Sequence, residues 1–245
     1  MRGSMRAFWD QRAKEDAFFF VDNRLAYRDP DLTRFWADGE RDLDTLLGAL
    51  EVAVGPDDRV LEIGCGVGRL TRVLAARARA VQALDVSAQM LELAGQHNPE
   101  LDNVEWILGD GSTLAGIESA GVDACVSHVV FQHIPDPGIT LGYVRELGRV
   151  LRPGGWAAFQ ISNDPAVHRR PSLIERAGLA GRALARTALA RAAPQGQRDP
   201  RWLGSMVELA DLRTAADAGS MRIERVVGEG TQFCLVLTRR LPPDA

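Results

Sequence analysis

The stretch Arg59-Val60-Leu61-Glu62-Ile63-Gly64-Cys65-Gly66-Val67-Gly68 decides the fold. Its first five residues are a short, largely apolar run that follows the break at Gly55-Pro56, which is typical of a buried β-strand. The three glycines that follow let the backbone turn tightly and let a ligand approach it closely. A helix that starts after such a loop offers free N–H groups to that ligand. The stretch therefore predicts a strand, a ligand-binding loop and a helix.

Strand and helix patterns alternate downstream of this loop. The further strands are predicted at 80–85, 104–108, 123–127, 156–161, 221–227 and 231–239, and the helices at about 67–79, 87–97, 138–150 and 207–218, with a short helix after Ser112. Parallel strands need crossover connections, so the alternation predicts an α/β, doubly wound, Rossmann-like sheet with helices on both faces. The turn Gly228-Glu229-Gly230 joins the last two runs into a hairpin. We therefore expect a mostly parallel seven-stranded sheet with an antiparallel last strand.

The chain has 245 residues, which is enough for one full α/β core, and residues 5–245 are predicted to form a single domain. Residues 1–4, ahead of Met5, look like a leader added for expression. Residues 5–55 are rich in aromatic residues and carry four leucines at helical spacing, which predicts a helical N-terminal cap. Residues 163–205 are rich in alanine and arginine and are interrupted by prolines, which predicts a helical insertion.

Charge and cysteine content limit the classes of partner. The net charge of −4 disfavours general attraction to nucleic acid or to an anionic membrane. The insertion is locally basic, so it is either a solvated helical surface or a lid that recognises an anionic substrate. The three cysteines are far apart, which predicts neither a zinc site nor a disulfide framework. No apolar run is long enough to span a membrane, and we expect a cytoplasmic protein.

The glycine loop distinguishes between two nucleotide-binding families. A dinucleotide-binding loop, G-x-G-x-x-G, requires a glycine at position 69, which is Arg69. The observed spacing, an acidic residue, an apolar residue and then G-C-G-x-G, resembles the glycine-rich motif of class I S-adenosylmethionine-dependent methyltransferases. The resemblance implies that S-adenosylmethionine is bound by this loop, through Glu62, Gly64, Cys65, Gly66 and Gly68. Cys65 is interpreted as a small spacer and not as a reactive thiol.

Further matches to this family follow in its order, over residues 58–161. Asp85 ends the second strand, where the resemblance implies binding of the ribose hydroxyls, and a carboxylate can accept two hydroxyl protons. Asp110, between Gly109 and Gly111, stands where the family's acid meets the adenine amino group. The alternative role of both aspartates is to cap the helices that follow them. Val86, Met90, Gly109, Gly111 and Ser127 complete the set of cofactor-binding residues that the resemblance implies.

Two histidines follow the fourth strand and are the candidates for catalysis. Methyl transfer from a sulfonium is a one-step displacement, which requires a base only if the acceptor must lose a proton. His128 and His133 lie where the family brings the acceptor and the methyl group together, so either is a candidate base. Some relatives that methylate quinone precursors carry two glutamates in this segment, as a candidate metal site. Here Val129 and Gln132 stand at those positions, and no metal is predicted.

Several functions remain open at this level. The leading hypothesis is methylation of an O, N or C atom of a small-molecule acceptor, with S-adenosylhomocysteine as the second product, and secondary metabolism is a candidate setting. The alternatives are a nucleic-acid or protein methyltransferase that uses the Arg-rich insertion, and a catalytically silent protein that binds a cofactor or a partner. The cap aromatics Trp9, Tyr27, Phe35 and Trp36 either close over the sulfonium or form core. Both a monomer and a homodimer are compatible with the sequence.

Overall fold

The centre of the molecule is one β-sheet, seen in a computed structural model that describes residues 2–168 and 199–242, without the side chains of residues 2–4 and 200. Its strands are β1 (Arg59–Ile63), β2 (Ala80–Asp85), β3 (Val104–Leu108), β4 (Val122–Ser127), β5 (Leu151–Ile161), β6 (Met221–Val227) and β7 (Cys234–Arg240). They lie in the order β3-β2-β1-β4-β5-β7-β6. The first five strands pair in parallel, and β7 runs antiparallel to both β5 and β6. This confirms the predicted seven-stranded, mostly parallel sheet with an antiparallel last strand.

Helices cover both faces of the sheet. In the described ranges they are α1 (Arg2–Val21), α2 (Leu32–Leu50), α3 (Thr71–Arg77), α4 (Ala88–His97), α5 (Pro137–Val150), α6 (Pro165–His168), α7 (Pro200–Leu203) and α8 (Leu209–Ala218). Val60 of β1 faces a core shared with α2 and α3, whereas Leu61 and Ile63 face a core shared with α5 and α8. Successive side chains of a strand point to opposite faces, so one short apolar strand serves both cores. In the described part of the chain, none of the helices is long and apolar enough to cross a membrane.

Helix α1 lies across the carboxyl edge of the sheet. Arg6 donates from Nη2 to the carbonyl oxygen of Gly109 at 2.9 Å, just after β3. Asp10 accepts a hydrogen bond from the Ser87 hydroxyl at 2.7 Å, just after β2. Residues 2–4, predicted to be a leader outside the fold, are the first residues of this helix. The predicted cap, residues 5–55, thus contains α2 and nearly all of α1, and α1 is the part that reaches the loops of the parallel strands.

The structure differs from the sequence-based prediction in a few elements. The short helix predicted after Ser112 was wrong, because Asp110 accepts hydrogen bonds from the backbone N–H groups of Ser112 and Thr113 and fixes a turn there. Helix α3 is shorter than predicted at both ends, because residues 66–70 form turns and Ala78 has an extended backbone that leads into β2. Strand β5 begins at Leu151, which pairs with Val122 ahead of the predicted start at position 156. Most of the predicted insertion, residues 169–198, lies outside the described residues.

Candidate functional site

A cavity of about 550 Å³ opens at the carboxyl ends of β1, β2 and β4, beneath α1. The strand order reverses between β1 and β4, and ligands of open α/β sheets bind at such a switch point. Eight of the residues predicted to bind the cofactor line the cavity: Glu62, Gly64, Cys65, Gly66, Asp85, Val86, Met90 and Gly111. The topology therefore brings the ends of separate strands into one concave site.

The glycine loop has a backbone that only glycine adopts readily. Gly64 and Gly66 have φ angles of 78° and 55°, in the left-handed region. A Cβ at Gly66 would lie 2.9 Å from a methyl group of Val21, and a Cβ at Gly64 would overlap the side chain of Val130. The loop is thus a narrow backbone cradle, with Val21 of α1 directly against it.

Asp85 joins this loop to the end of β2. One of its carboxylate oxygens accepts a hydrogen bond from the N–H of Gly66 at 2.9 Å, and the other accepts from the N–H of Ser87 at 2.8 Å. Burial raises the pKa of Asp85, and the hydrogen bonds from Ser87 and Gly66 oppose that rise. Each carboxylate oxygen keeps a lone pair for a ligand. Asp85 can therefore hold the glycine loop and present acceptors to the cavity at the same time.

Asp110 has different surroundings from Asp85. The backbone N–H groups of Ser112 and Thr113 each donate to its Oδ1 at 2.8 Å. Burial alone would raise the pKa of Asp110, but the hydrogen bonds from Ser112 and Thr113 outweigh it and hold that pKa below its ordinary value. Gly111 lines the cavity, whereas Asp110 shapes the turn that carries it. The role of Asp110 in cofactor binding stays a prediction.

Three other predicted cofactor residues lie behind the cavity wall. Ser127 donates its hydroxyl to the carbonyl oxygen of Ile63 at 3.0 Å and so ties β4 to β1. Gly68 faces Asn98 and Trp106, where a side chain would collide with both. The carbonyl oxygen of Gly109 accepts the hydrogen bond from Arg6 described above. In the structure these residues support the loops that line the cavity.

Glu62 is the buried acid at the base of the glycine loop. It lines the cavity and accepts a hydrogen bond from the Thr71 hydroxyl at 2.5 Å. Burial raises the pKa of Glu62 to about 7, although that hydrogen bond opposes the rise. Near neutral pH this carboxyl group therefore exists in both protonation states, and a cationic ligand group beside it would favour the carboxylate.

His128 lies beside a set of paired charges, which we call the ionic cluster: Asp22, Arg24, Asp42 and Arg69. Asp42 accepts from Arg69 Nη1 at 2.5 Å and from Arg24 Nη2 at 2.6 Å, and Arg24 also pairs with Asp22 at 2.6 Å. Burial lowers the pKa of His128 to about 4, with a further contribution from Arg69. From the sequence, Arg69 was noted only because it replaces a glycine of the dinucleotide-binding motif. Its role in the ionic cluster was missed, because its partners Asp22 and Asp42 lie in the N-terminal cap, far away in the chain.

His133 lies instead in an aromatic cluster with Trp9 and Trp202. Its ring centroid is 5.6 Å from that of Trp9 and 4.8 Å from that of Trp202, and the two tryptophans are 5.9 Å apart. Its Nδ1 contacts the carbonyl oxygen of Trp202. Burial lowers the pKa of His133 to about 4, against the effect of that hydrogen bond. The two candidate bases thus have different surroundings, one ionic and one aromatic.

The cap aromatics divide between cavity and core. Trp9 lines the cavity, and Phe35 is fully buried in the core beneath α1. Tyr27 donates its hydroxyl to Glu15 at 2.6 Å, and the guanidinium of Arg72 lies 4.0 Å from the ring centroid of Trp36. In residues 2–168 and 199–242 no group of three or more His, Cys, Asp or Glu side chains is arranged to hold a metal ion.

Comparison with known proteins finds a family model that matches the central part of the chain. Residues 61–159 match the family model described as a methyltransferase domain. A ubiquinone biosynthesis O-methyltransferase from Paraburkholderia phytofirmans is 30% identical over 163 residues, which is 64% of this chain and 65% of that protein. This chain spans only 45%, 18% and 65% of the lengths of the first three curated relatives that it matches.

Solved structures share the fold over nearly the whole chain. Phosphoethanolamine N-methyltransferase 1 from Haemonchus contortus, in complex with phosphoethanolamine and S-adenosylhomocysteine, gives a TM-score of 0.67 at 17% identity over 98% of this chain and 49% of that one. The complex of DhpI with S-adenosylhomocysteine gives a TM-score of 0.60 at 23% identity, over 99% of this chain and 97% of that one. At such identities the likeness shows the fold alone.

Proposed function

From the match of residues 61–159 to a methyltransferase domain and from the fold, we propose that this chain is a class I methyltransferase that transfers a methyl group from S-adenosylmethionine to a small molecule. The observation that carries the proposal is the cradle of Gly64 and Gly66, which Asp85 fixes at the switch point of the sheet. When bound, S-adenosylmethionine supplies an electrophilic methyl group on a sulfonium centre. The residues of the chain supply binding, orientation and exclusion of water.

The residues around the cradle fit the donor group by group. The acceptors of Asp85 suit a pair of ribose hydroxyls, and the apolar side chains of Val86 and Met90 suit a flat adenine ring. Glu62 suits the ammonium of the amino-acid part, because a buried carboxylate requires a cationic partner. The backbone N–H groups of the glycine loop can donate hydrogen bonds to the ligand directly, without a side chain. This set supports assignment of the donor to this part of the cavity.

The acceptor is proposed to be small because α1 lies over the site. A cavity of about 550 Å³ is within the range of small-molecule sites. Trp9 and Val21, both on α1, line the cavity, so the cap narrows it from the solvent side. The aromatic cluster lines a further part of the cavity wall, and its apolar faces limit the access of water to the reaction there.

Titration calorimetry with S-adenosylhomocysteine tests the donor assignment directly. We expect one binding site per chain, and we expect methyl transfer from radiolabelled S-adenosylmethionine to at least one member of a small-molecule panel. A folded protein that shows no heat of binding at millimolar S-adenosylhomocysteine would contradict the proposal. Binding without transfer to any panel member would contradict its catalytic part.

Affinity for the donor is expected to depend on pH through Glu62. The pKa of this group is about 7 in the ligand-free protein, and a neighbouring ammonium lowers it, so binding releases a proton below neutral pH. The dissociation constant is therefore expected to rise by up to about tenfold per pH unit below about pH 7 and to level off above it. Calorimetry at about pH 6 in two buffers of different ionisation enthalpy measures the released proton.

The variant Glu62→Gln provides the control for this effect, because an amide does not titrate in this range. We expect weaker binding at about pH 8 and a nearly flat pH dependence. The raised pKa also means that Glu62 by itself lowers the stability of the ligand-free protein as the pH rises from about 4.5 to about 7, opposite in sign to the contributions of His128 and His133, and Glu62→Gln removes that contribution. A wild-type affinity that is unchanged between about pH 5.5 and 8 would rule out this role for Glu62.

A further inference from the structure

Among residues 2–168 and 199–242, the charged side chains that line the cavity have partners away from the aromatic cluster. Glu62 accepts from Thr71, and Asp85 accepts from the glycine loop. The four members of the ionic cluster pair with one another. From the described residues, an acceptor beside Trp9 and Trp202 would thus meet aromatic faces and neutral polar groups. Such walls favour an uncharged, planar molecule, because a buried charge without a partner is costly.

The contact with Trp202 determines which nitrogen of His133 carries hydrogen. A carbonyl oxygen only accepts, so Nδ1 must donate to the carbonyl of Trp202. In a neutral imidazole the other nitrogen, Nε2, is then an acceptor. The imidazole is neutral at physiological pH because its pKa is about 4. His133 therefore offers an unprotonated nitrogen, whose side-chain partner is the amide of Gln132 at 3.3 Å.

The orientation of the Gln132 amide is fixed from behind. Gln160 donates from Nε2 to Oε1 of Gln132 and also to the carbonyl oxygen of Gln232, at 3.1 Å for the latter. The Nε2 of Gln132 must then face His133. Both Gln132 and His133 are nearly fully buried and both line the cavity. An N–H donor and a nitrogen acceptor thus lie side by side on one wall.

A short backbone segment holds this pair in place. Gly204 has a φ angle of 65°, and a Cβ there would overlap the carbonyl oxygen of Gln132. Ser205 donates its hydroxyl to the carbonyl oxygen of Ile134 at 2.7 Å. These contacts keep the carbonyl of Trp202 on Nδ1 of His133. The tautomer is therefore set by the described residues that follow the insertion.

A donor beside an acceptor matches a hydroxyl group, because a hydroxyl both accepts and donates. Its oxygen would accept from Nε2 of Gln132, and its proton would take the place of the Gln132 N–H at the single lone pair of His133 Nε2. An ammonium has no lone pair for the amide, and a carboxylate has no proton for the imidazole. We propose that the acceptor is an uncharged planar compound whose hydroxyl lies between Gln132 and His133 and is methylated on oxygen. This inference rests on the proposed function and names its substrate class.

The chemical step balances with these residues alone and the methyl donor. The hydroxyl oxygen gives an electron pair to the methyl carbon as the carbon–sulfur bond breaks, and that bond's pair goes to sulfur. The hydroxyl proton passes to Nε2 of His133 and from there to solvent. The oxygen becomes strongly acidic as the new bond forms, so a weakly basic imidazole is sufficient. The products are a methyl ether and S-adenosylhomocysteine.

Three probes with one ring test the substrate class: 2-naphthol, 2-naphthylmethylamine and 2-naphthoate. Each is titrated by calorimetry into protein saturated with S-adenosylhomocysteine. We expect 2-naphthol to bind at least about tenfold more tightly than either charged probe, because the charged probes lack a partner in the cluster. In Gln132→Leu and in His133→Phe we expect 2-naphthol to bind about 3- to 10-fold more weakly, as for the loss of one hydrogen bond.

The matched control is Gln82→Leu, an amide replacement on β2 whose side chain donates to Glu105 away from the cavity. It is expected to leave all three affinities unchanged. Equal or tighter binding of a charged probe overturns the inference, as does an unchanged affinity for 2-naphthol in both site variants. A wild-type protein that binds no S-adenosylhomocysteine overturns the proposed function, and this inference with it. Two site variants are used so that a misfolded one does not decide the result.

Discussion

Replacement of Asp85 with alanine is expected to weaken S-adenosylhomocysteine binding by roughly 100-fold or more. The substitution removes the acceptors for the N–H groups of Gly66 and Ser87 and, under the proposed function, the acceptors for the ribose hydroxyls. Each hydrogen bond to a charged group contributes about 1.5–3 kcal/mol, so the loss of two corresponds to at least about two orders of magnitude in affinity. Titration calorimetry measures the effect.

Two companion variants make this result interpretable. Asp85→Asn retains one acceptor oxygen, so its affinity should fall between those of the wild type and the alanine variant. Asp44→Ala removes an exposed carboxylate of α2 that pairs only with Arg77 in the described contacts, and it should bind like the wild type. Circular dichroism confirms that each variant is folded. An alanine variant at position 85 whose affinity stays within about threefold of the wild type is incompatible with the assigned role.

Replacement of Gly148 with alanine is expected to lower the free energy of unfolding by about 3 kcal/mol, or to prevent accumulation of folded protein. Gly148 lies in α5, where the helix passes the end of α8. An added Cβ would overlap the carbonyl oxygen and carbon of Gly219, which are backbone atoms and cannot rotate away. Relief of the overlap requires α5 and α8 to separate, which opens the core between them. Urea denaturation measures the loss.

Gly48→Ala is the matched control, because Gly48 is an exposed glycine in α2 with open space around its Cβ position. It should raise the free energy of unfolding by about 0.5–1 kcal/mol, since alanine has less conformational freedom in the unfolded chain. The same helical substitution is thus expected to have opposite signs at the two positions. Equal effects at both would show that close packing of α5 against Gly219 is not what requires glycine.

Local sequence pattern was sufficient to predict the bounds of the first three strands of the sheet. Strands β1, β2 and β3 have the predicted bounds, because each is a short apolar run between clear breaks. The last strand begins at Cys234 instead of position 231, because Thr231 donates its hydroxyl to the carbonyl oxygen of Gly228 and extends the turn. Such errors arise where a side chain competes for backbone hydrogen bonds, which periodicity does not register.

The residues proposed to bind the methyl donor were predicted from sequence motifs, whereas the surroundings of the proposed acceptor were not. Glu62 is the last residue but one of β1 and Asp85 ends the adjacent β2, so both lie near one edge of the sheet. The partners of His133 are Trp9, which is 124 positions earlier, and Trp202, which is 69 positions later. Nothing in the local sequence indicates that Trp9, His133 and Trp202 are in contact. Gln160 was predicted only to be part of the strand at 156–161, with no role in the site. Contacts of this kind depend on tertiary packing, which a single sequence does not specify.

The position of α1 has a consequence for turnover. Arg6, Asp10 and Val21 contact the loops after β3, β2 and β1, so the helix lies over the loops that line the cavity. Under the proposed function, we expect the release of S-adenosylhomocysteine to require α1 to move away from these loops. When that detachment is slower than methyl transfer, it alone sets the steady-state rate. Acceptors of very different intrinsic reactivity would then be consumed at one common maximal velocity, and they would differ only in the concentration at which they reach it.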